Sequence, residues 1–150
     1  MKFTYNKYPP SEVIPFYTPR ELTEEEKERG LTLNEYGNIS TGNEFIDQFA
    51  ALIRKIRWGT HGDYARATGI DIRLLNATIQ TLTGQAIYEW VEYYTLLGAY
   101  EMLRDTDKEI KEISKQLGFS QVSIFSRFCK NRTKQPPKEL RYSLRRKAKQ

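Results

Sequence analysis

An all-α fold is what this 150-residue sequence predicts, and three features carry the prediction. Apolar residues recur at three- and four-residue spacing along most of the chain, the period of a helix with one buried face. Helix starts are marked at Thr18, Thr41 and Thr106 by an acidic residue three positions later, the capping-box pattern, and glycine or proline punctuates the stops. From Asp105 to Lys130 two helical patterns follow one another across Gly118, the layout of a helix-turn-helix.

Residues 1–40 read as an N-terminal arm. Pro9, Pro10, Pro15 and Pro19 interrupt any long element. Thr18-Pro19-Arg20-Glu21 joins a capping box to a first-turn proline, so a short helix is expected to run to about Arg29 and stop at Gly30. Leu31 to Asn38 reads as a brief extended stretch and turn. The segment is expected to pack as a structural arm, with partner binding as the alternative.

Thr41-Gly42-Asn43-Glu44 opens a helix with Phe45, Phe49, Leu52, Ile53 and Ile56 on one face. Gly59 to Asp63 leads into a short helix, Tyr64 to Ile70, that ends at a turn glycine. Asp71 then caps a second helix whose apolar set is Leu74, Leu75, Ile79 and Leu82. Thr83-Gly84 closes it, and one long helix is expected from Ile87 to Asp105. Its apolar positions, among them Trp90, Val91, Tyr94, Leu96, Leu97, Tyr100 and Leu103, cover more than one stripe, as a connector that buries opposite faces at its two ends requires. Tyr88, Trp90, Tyr93, Tyr94 and Tyr100 are read as core rather than as a platform for stacking bases, because their spacing is that of a buried helix face.

In the second pair Thr106 and Glu109 form the expected box, and Ile110, Ile113 and Leu117 face inward while Lys108, Lys111, Glu112 and Lys115 stay in water. Gly118 supplies a positive-φ turn, and Ser120 is expected as the next N-cap. Phe125 and Cys129, four apart, bury against the preceding helix. That leaves Gln121, Ser123, Arg127, Lys130 and Asn131 outward, a set rich in groups that bond bases and phosphates. Pro136-Pro137 starts a last helix carrying Leu140 and Leu144.

The net charge of +5 is unevenly placed. From Leu117 to Gln150 there are ten Lys or Arg against one acid, Glu139, so that segment is +9 and the remainder −4. A basic end beside a mildly acidic body suits a polyanion met on one side. Arg145-Arg146-Lys147-Ala148-Lys149 reads either as part of that basic face or as a solvated tail. The lone cysteine, Cys129, rules out an internal disulfide, which fits a reducing cytoplasm, and neither a signal peptide nor a membrane span is expected.

Gly118-Phe119-Ser120, Phe125-Ser126-Arg127, Lys130 and Pro137-x-Glu139-x-Arg141 resemble the signature of the AraC/XylS-type transcription activators. The resemblance runs from about Thr60 to Arg141. It implies an all-α domain of two helix-turn-helix subdomains joined by a long connecting helix: a first unit at about 60–84, a linker helix at 87–105 and a second unit at 106–132, within a domain spanning 41–150. It further implies a bacterial, cytoplasmic regulator that binds double-stranded DNA, with both recognition helices entering successive major grooves. At or near base edges the resemblance places Gln121, Val122, Ser123, Ile124 and Arg127. Ser120, Ser126, Lys130, Asn131 and Arg132 are its candidates for phosphate oxygens. For Val122 and Ile124 two roles stand open, contact with a thymine methyl or completion of the core.

The sequence departs from the family in its first unit. Ala77 and Gln80 stand where relatives carry cations, leaving Arg73; Asn76 and Gln80 retain amides able to pair with adenine. Glu89, Glu92, Tyr93 and Thr95 occupy a stretch of the linker that is commonly arginine-rich, and Thr133-Lys134 replaces an aromatic and a glycine. The second unit is therefore expected to dominate binding. The competing reading is a protein-interaction module with a degenerate first unit, recruiting RNA polymerase or another regulator; an accessory factor of recombination or conjugation is a third. An enzyme is not expected, because His61 has no second imidazole or thiol partner and no phosphate loop appears. No metal, cofactor or small-molecule effector domain is implied either.

Overall fold

The computed structural model describes residues 20–149, and in them eight helices and no extended strand. The helices are α1 (Glu24–Glu28), α2 (Glu44–Ile56), α3 (His61–Thr68), α4 (Ile72–Thr83), α5 (Ile87–Asp105), α6 (Ile110–Gln116), α7 (Val122–Thr133) and α8 (Pro137–Ala148). The chain divides into two compact units, the first ending at Tyr94 and the second beginning at Thr95, within α5.

In the arm, Pro9, Pro10, Pro15, Thr18 and Pro19 lie outside the described residues. The first helix starts later than its sequence signal, at Glu24, because Thr23 and Glu26 complete a capping box: the Glu26 amide donates to Thr23 Oγ1 at 3.2 Å and the Thr23 amide to Glu26 Oε1 at 2.8 Å. The expected extended stretch and turn is a hairpin closed by one antiparallel bridge, Leu33 to Ile39. Asn34 Oδ1 accepts from the amides of Tyr36 and Asn38, and Arg54 on α2 donates to the Tyr36 carbonyl and Asn38 Oδ1 at 2.9 and 2.8 Å. One cation thus pins the hairpin to α2.

In the first unit Asn43, not Thr41, caps α2: its Oδ1 accepts from the Ile46 amide at 3.1 Å, whereas Thr41 Oγ1 donates to Asp47. The buried core joins Ile46, Phe49, Ala50 and Ile53 of α2 with Tyr64 of α3, Leu75 and Ile79 of α4, and Ile87, Trp90, Val91 and Tyr94 of α5. Phe49 meets the Trp90 ring edge-on at 5.3 Å between centroids, the arrangement ring quadrupoles favour. Tyr64 is buried, and its hydroxyl donates to the Arg57 carbonyl. Trp90 and Tyr94 are core, as expected of the aromatic cluster, while Tyr88 of the same cluster is exposed.

In the second unit the buried residues are Ala99, Met102 and Leu103 of α5, Ile113 of α6, Leu117 and Phe119 beyond it, Phe125, Phe128 and Cys129 of α7, and Leu140 of α8. Phe119, in the turn, packs on both Phe125 and Phe128 at 5.3 and 5.6 Å. Burial along α5 passes from Ile87, Trp90, Val91 and Tyr94 to Thr95, Ala99, Met102 and Leu103, a spread consistent with the mixed stripes of its sequence.

Two expected caps are corrected. Thr106 does not open α6: its hydroxyl donates back to the Met102 carbonyl at 2.6 Å, finishing α5, and α6 begins at Ile110 with Glu109 as an N-cap lacking a side-chain bond. Ser120 likewise yields its place to Gln121, the N-cap of α7. In both cases the hydroxyl lies one or more residues outside the helix it was expected to start.

Candidate nucleic-acid interface

Each unit contains a helix pair separated by a left-handed glycine. In the first, α3 is capped by Thr60 and Asp63 and ends at Gly69, φ 69°; Asp71 Oδ1 then accepts from the Arg73 amide at 3.0 Å and starts α4. In the second, Gly118 at φ 96° separates α6 from α7. Glycine adopts such angles without the backbone penalty that a Cβ brings, so the sharp turn suits the residue type.

The second helices of the two pairs are the same length and lie in register fifty residues apart, Ile72–Thr83 against Val122–Thr133. Their C-terminal ends repeat atom for atom. Thr83 Oγ1 donates to the Ile79 carbonyl at 2.7 Å and accepts from the Gln85 amide at 3.2 Å; Thr133 Oγ1 donates to the Cys129 carbonyl at 2.7 Å and accepts from the Gln135 amide at 3.2 Å. After each threonine comes a left-handed residue, Gly84 at φ 80° and Lys134 at φ 67°. A lysine thus makes in the second unit the same turn that a glycine makes in the first.

On α7, Phe125, Phe128 and Cys129 are buried and Gln121, Val122, Ser123, Arg127, Lys130, Asn131 and Arg132 are exposed. Val122 is 41% exposed and free to touch a ligand, while Ile124 is half-buried. Ser123 Oγ donates to Gln121 Oε1 at 3.3 Å, and the Arg132 guanidinium lies 5.9 Å from the centre of the Phe128 ring. Arg127 is exposed and makes no hydrogen bond or ion pair with the described residues. Ser120 is exposed just ahead of the helix, and Ser126 is half-buried.

On α4, Leu75 and Ile79 are buried and Arg73, Leu74, Ala77, Gln80 and Thr81 are exposed. Leu74 contradicts its expected place in the core: it is 62% exposed. Asn76 is half-buried, and its Oδ1 accepts from the Ile87 amide at 2.9 Å, capping the start of α5. Fifty residues on, the corresponding positions are Ser126 and Pro137; proline has no N–H, so that unit has no donor there to satisfy.

The basic end of the chain is only partly outward. Arg141 donates to the carbonyls of Leu103, Thr106 and Lys108 at 3.0, 3.3 and 2.6 Å, and Arg145 to the Thr106 carbonyl and Asp107 Oδ1 at 2.6 and 2.9 Å. These two arginines close the C-terminal end of α5, where carbonyls lack helical partners. The stretch that read either as basic face or as loose tail is helical through Ala148, with Arg146, Lys147 and Lys149 exposed. His61 is exposed, and Cys129 is fully buried, its thiol pushed up to about 12 by desolvation. Among the described residues no helix is long and apolar enough to cross a membrane.

The sequence reading missed two features of this surface: the outward turn of Leu74 and a shallow hollow of about 280 Å³ lined by Ala77, Thr78, Thr81 and Leu82. A signal existed in the paired strings Thr83-Gly84-Gln85 and Thr133-Lys134-Gln135, whose alignment puts Ala77 opposite Arg127.

Residues 64–143, more than half of the chain, match a family model described as a helix-turn-helix domain. No curated protein matches the sequence. Among solved structures the chain is similar to the DNA-binding domain of AdpA, a global transcriptional factor, in complex with a target DNA, at 18% identity and TM-score 0.59 over 68% of this chain and 93% of that one. It is similar to the C-terminal domain of AraT, a response regulator from Geobacillus stearothermophilus, at 20% identity and TM-score 0.62 over 69% and 88%. A third is the C-terminal domain of the two-component response regulator yesN from Fusobacterium nucleatum, at 20% identity and TM-score 0.59 over 68% and 99%. At these identities the likeness establishes a shared fold.

Proposed function

The chain belongs to the AraC-type helix-turn-helix family, and on that premise we propose that it is a sequence-specific transcription regulator that binds double-stranded DNA and reads the major groove mainly through α7. The observation that carries the reading is the contrast between the two recognition helices. Fifty residues apart, Ala77 and Gln80 of α4 occupy the positions held on α7 by Arg127 and Lys130. Each cation that neutralises a phosphate releases a counterion and adds to affinity, and arginine bonds guanine bidentately. The AdpA domain is bound to a target DNA in its own structure, and the same class of ligand is proposed here.

Arg127 is outward and unpaired among the described residues, so it meets a duplex without first breaking an internal bond. Its removal is expected to weaken binding to a selected duplex by roughly 5- to 150-fold, the range of a lost bidentate base contact. Arg73→Ala is expected to cost less than about threefold, the effect of a single exposed cation at moderate salt. Anisotropy titrations of both variants on one duplex test the proposal, and comparable losses would count against it. A salt series on random duplex separates DNA binding from a protein-docking role: the logarithmic slope is about −0.9 per neutralised phosphate, against almost none for a protein surface.

A further inference from the structure

We propose that α4 discriminates bases through thymine methyl groups, with Leu74 as the specificity-determining side chain and the Ala77, Thr78 and Thr81 surface beside it as the seat. The inference rests on the DNA-binding reading above and names what its weaker unit recognises.

An isolated exposed leucine is ordinary; the position of this one is not. Leu74 is the third residue of α4, and the N-terminal residues of a recognition helix are the ones that reach base edges. Leu75 and Ile79, on the adjoining face of the helix, are buried in the core. One and two turns further along, Ala77 stands where α7 has Arg127 and Thr81 where it has Asn131. A hollow of about 280 Å³ lies between Ala77, Thr78, Thr81 and Leu82. Where α7 presents guanidinium and ammonium groups, α4 presents methyls and a shallow recess.

In a major groove one base carries a matching group, since thymine alone displays a 5-methyl. Guanine acceptors would find Arg73 but no cation at Ala77 or Gln80, and the Asn76 amide is committed to the Ile87 N–H. A protein partner fits less well. One exposed leucine flanked by alanine and threonines falls far short of the ~800 Å² that each side of a stable interface buries.

The test uses duplexes selected from a random pool by the full chain, with thymines replaced one at a time by deoxyuridine, which lacks only the methyl. At one or two positions the replacement is expected to weaken wild-type binding about fourfold, the equilibrium value of one buried methyl. Leu74→Ala should bind the thymine and deoxyuridine duplexes alike. The proposal is overturned if no position is sensitive to deoxyuridine, or if the sensitivity persists in Leu74→Ala. A second variant, Ala77→Arg, restores the cation of the other unit and should steepen the salt slope by about one; an unchanged slope also overturns it. Both positions are exposed, so neither variant disturbs the core, which circular-dichroism melting verifies. Should Arg127→Ala bind like wild type, the DNA reading itself falls. Should Arg127 be required and deoxyuridine be silent, only the role of α4 falls.

Discussion

Lys134→Gly should make the protein more stable, although it replaces a helix-end lysine by the residue with the most flexible backbone. Lys134 sits at φ 67°, ψ 7°, just after α7, with its amide donating to the Lys130 carbonyl at 2.9 Å. Gly84 performs the same task at φ 80°, ψ 0°, donating to the Gln80 carbonyl at 2.9 Å. For a residue with a Cβ the left-handed region costs roughly 1–2 kcal/mol. Against that, glycine loses about 0.5–1 kcal/mol more backbone entropy on folding. The middles of the two ranges differ by about 0.75 kcal/mol in favour of glycine. Lys134 is exposed and its side chain makes no bond within the described residues, so no packing is lost. For a chain of this size the gain corresponds to a rise of about 1–4 °C in the melting midpoint. The reciprocal variant, Gly84→Lys, should lower the midpoint by a similar amount. Thermal and urea unfolding at low salt, where the loss of one charge can be checked with Lys134→Gln, supply the readout. A midpoint that stays level or falls in Lys134→Gly, with Lys134→Gln unchanged, would refute the claim that backbone strain dominates at this position.

Asn76→Ala should cost about 1 kcal/mol, within the ~0.5–2 kcal/mol of a lost N-cap, because the Ile87 amide loses its acceptor; Ser126→Ala at the equivalent place should cost much less, as Pro137 has no amide hydrogen, and urea unfolding of the two variants makes the comparison. Cys129 should resist thiol reagents in the native protein and react on unfolding. Its folded pKa is raised from 9.0 to about 12, so the neutral thiol is the form the fold favours. Its contribution to stability is therefore intact below about pH 9 and declines as the pH climbs from 9 toward 12, which a Cys129→Ser or Cys129→Ala reference in alkaline unfolding isolates.

Most helices were legible because each signal needed to place them is local. Glycines 69, 84 and 118 stop or turn the chain at positive φ, as their residue type permits, and Pro137 begins α8 from the first turn. Phe125 and Cys129 fell inward as their four-residue spacing required, joined by Phe128. The failures share a cause. Thr41, Thr106 and Ser120 each matched a cap by type and spacing, but a hydroxyl can bond forward into the next helix or back onto the last, and Thr106 chose the Met102 carbonyl. Leu74 matched an apolar stripe, yet Leu75 and Ile79, four apart, define the face of α4 that is buried, and Leu74, about 100° round from Leu75, falls on its exposed flank.

From the sequence alone came the all-α class, the two helix pairs, the basic C-terminal third and the resemblance to a DNA-binding family, because periodicity, turn residues and charge are properties of neighbours along the chain. Only the tertiary structure decided that Asn76 serves the Ile87 amide, that Arg141 and Arg145 hold the end of α5, and that Leu74 looks outward. Those choices join residues eleven to thirty-nine positions apart or turn on which flank of a helix meets its neighbour. A polar side chain is claimed by whichever unsatisfied backbone group folding brings within reach, and that competition is settled in space rather than in sequence.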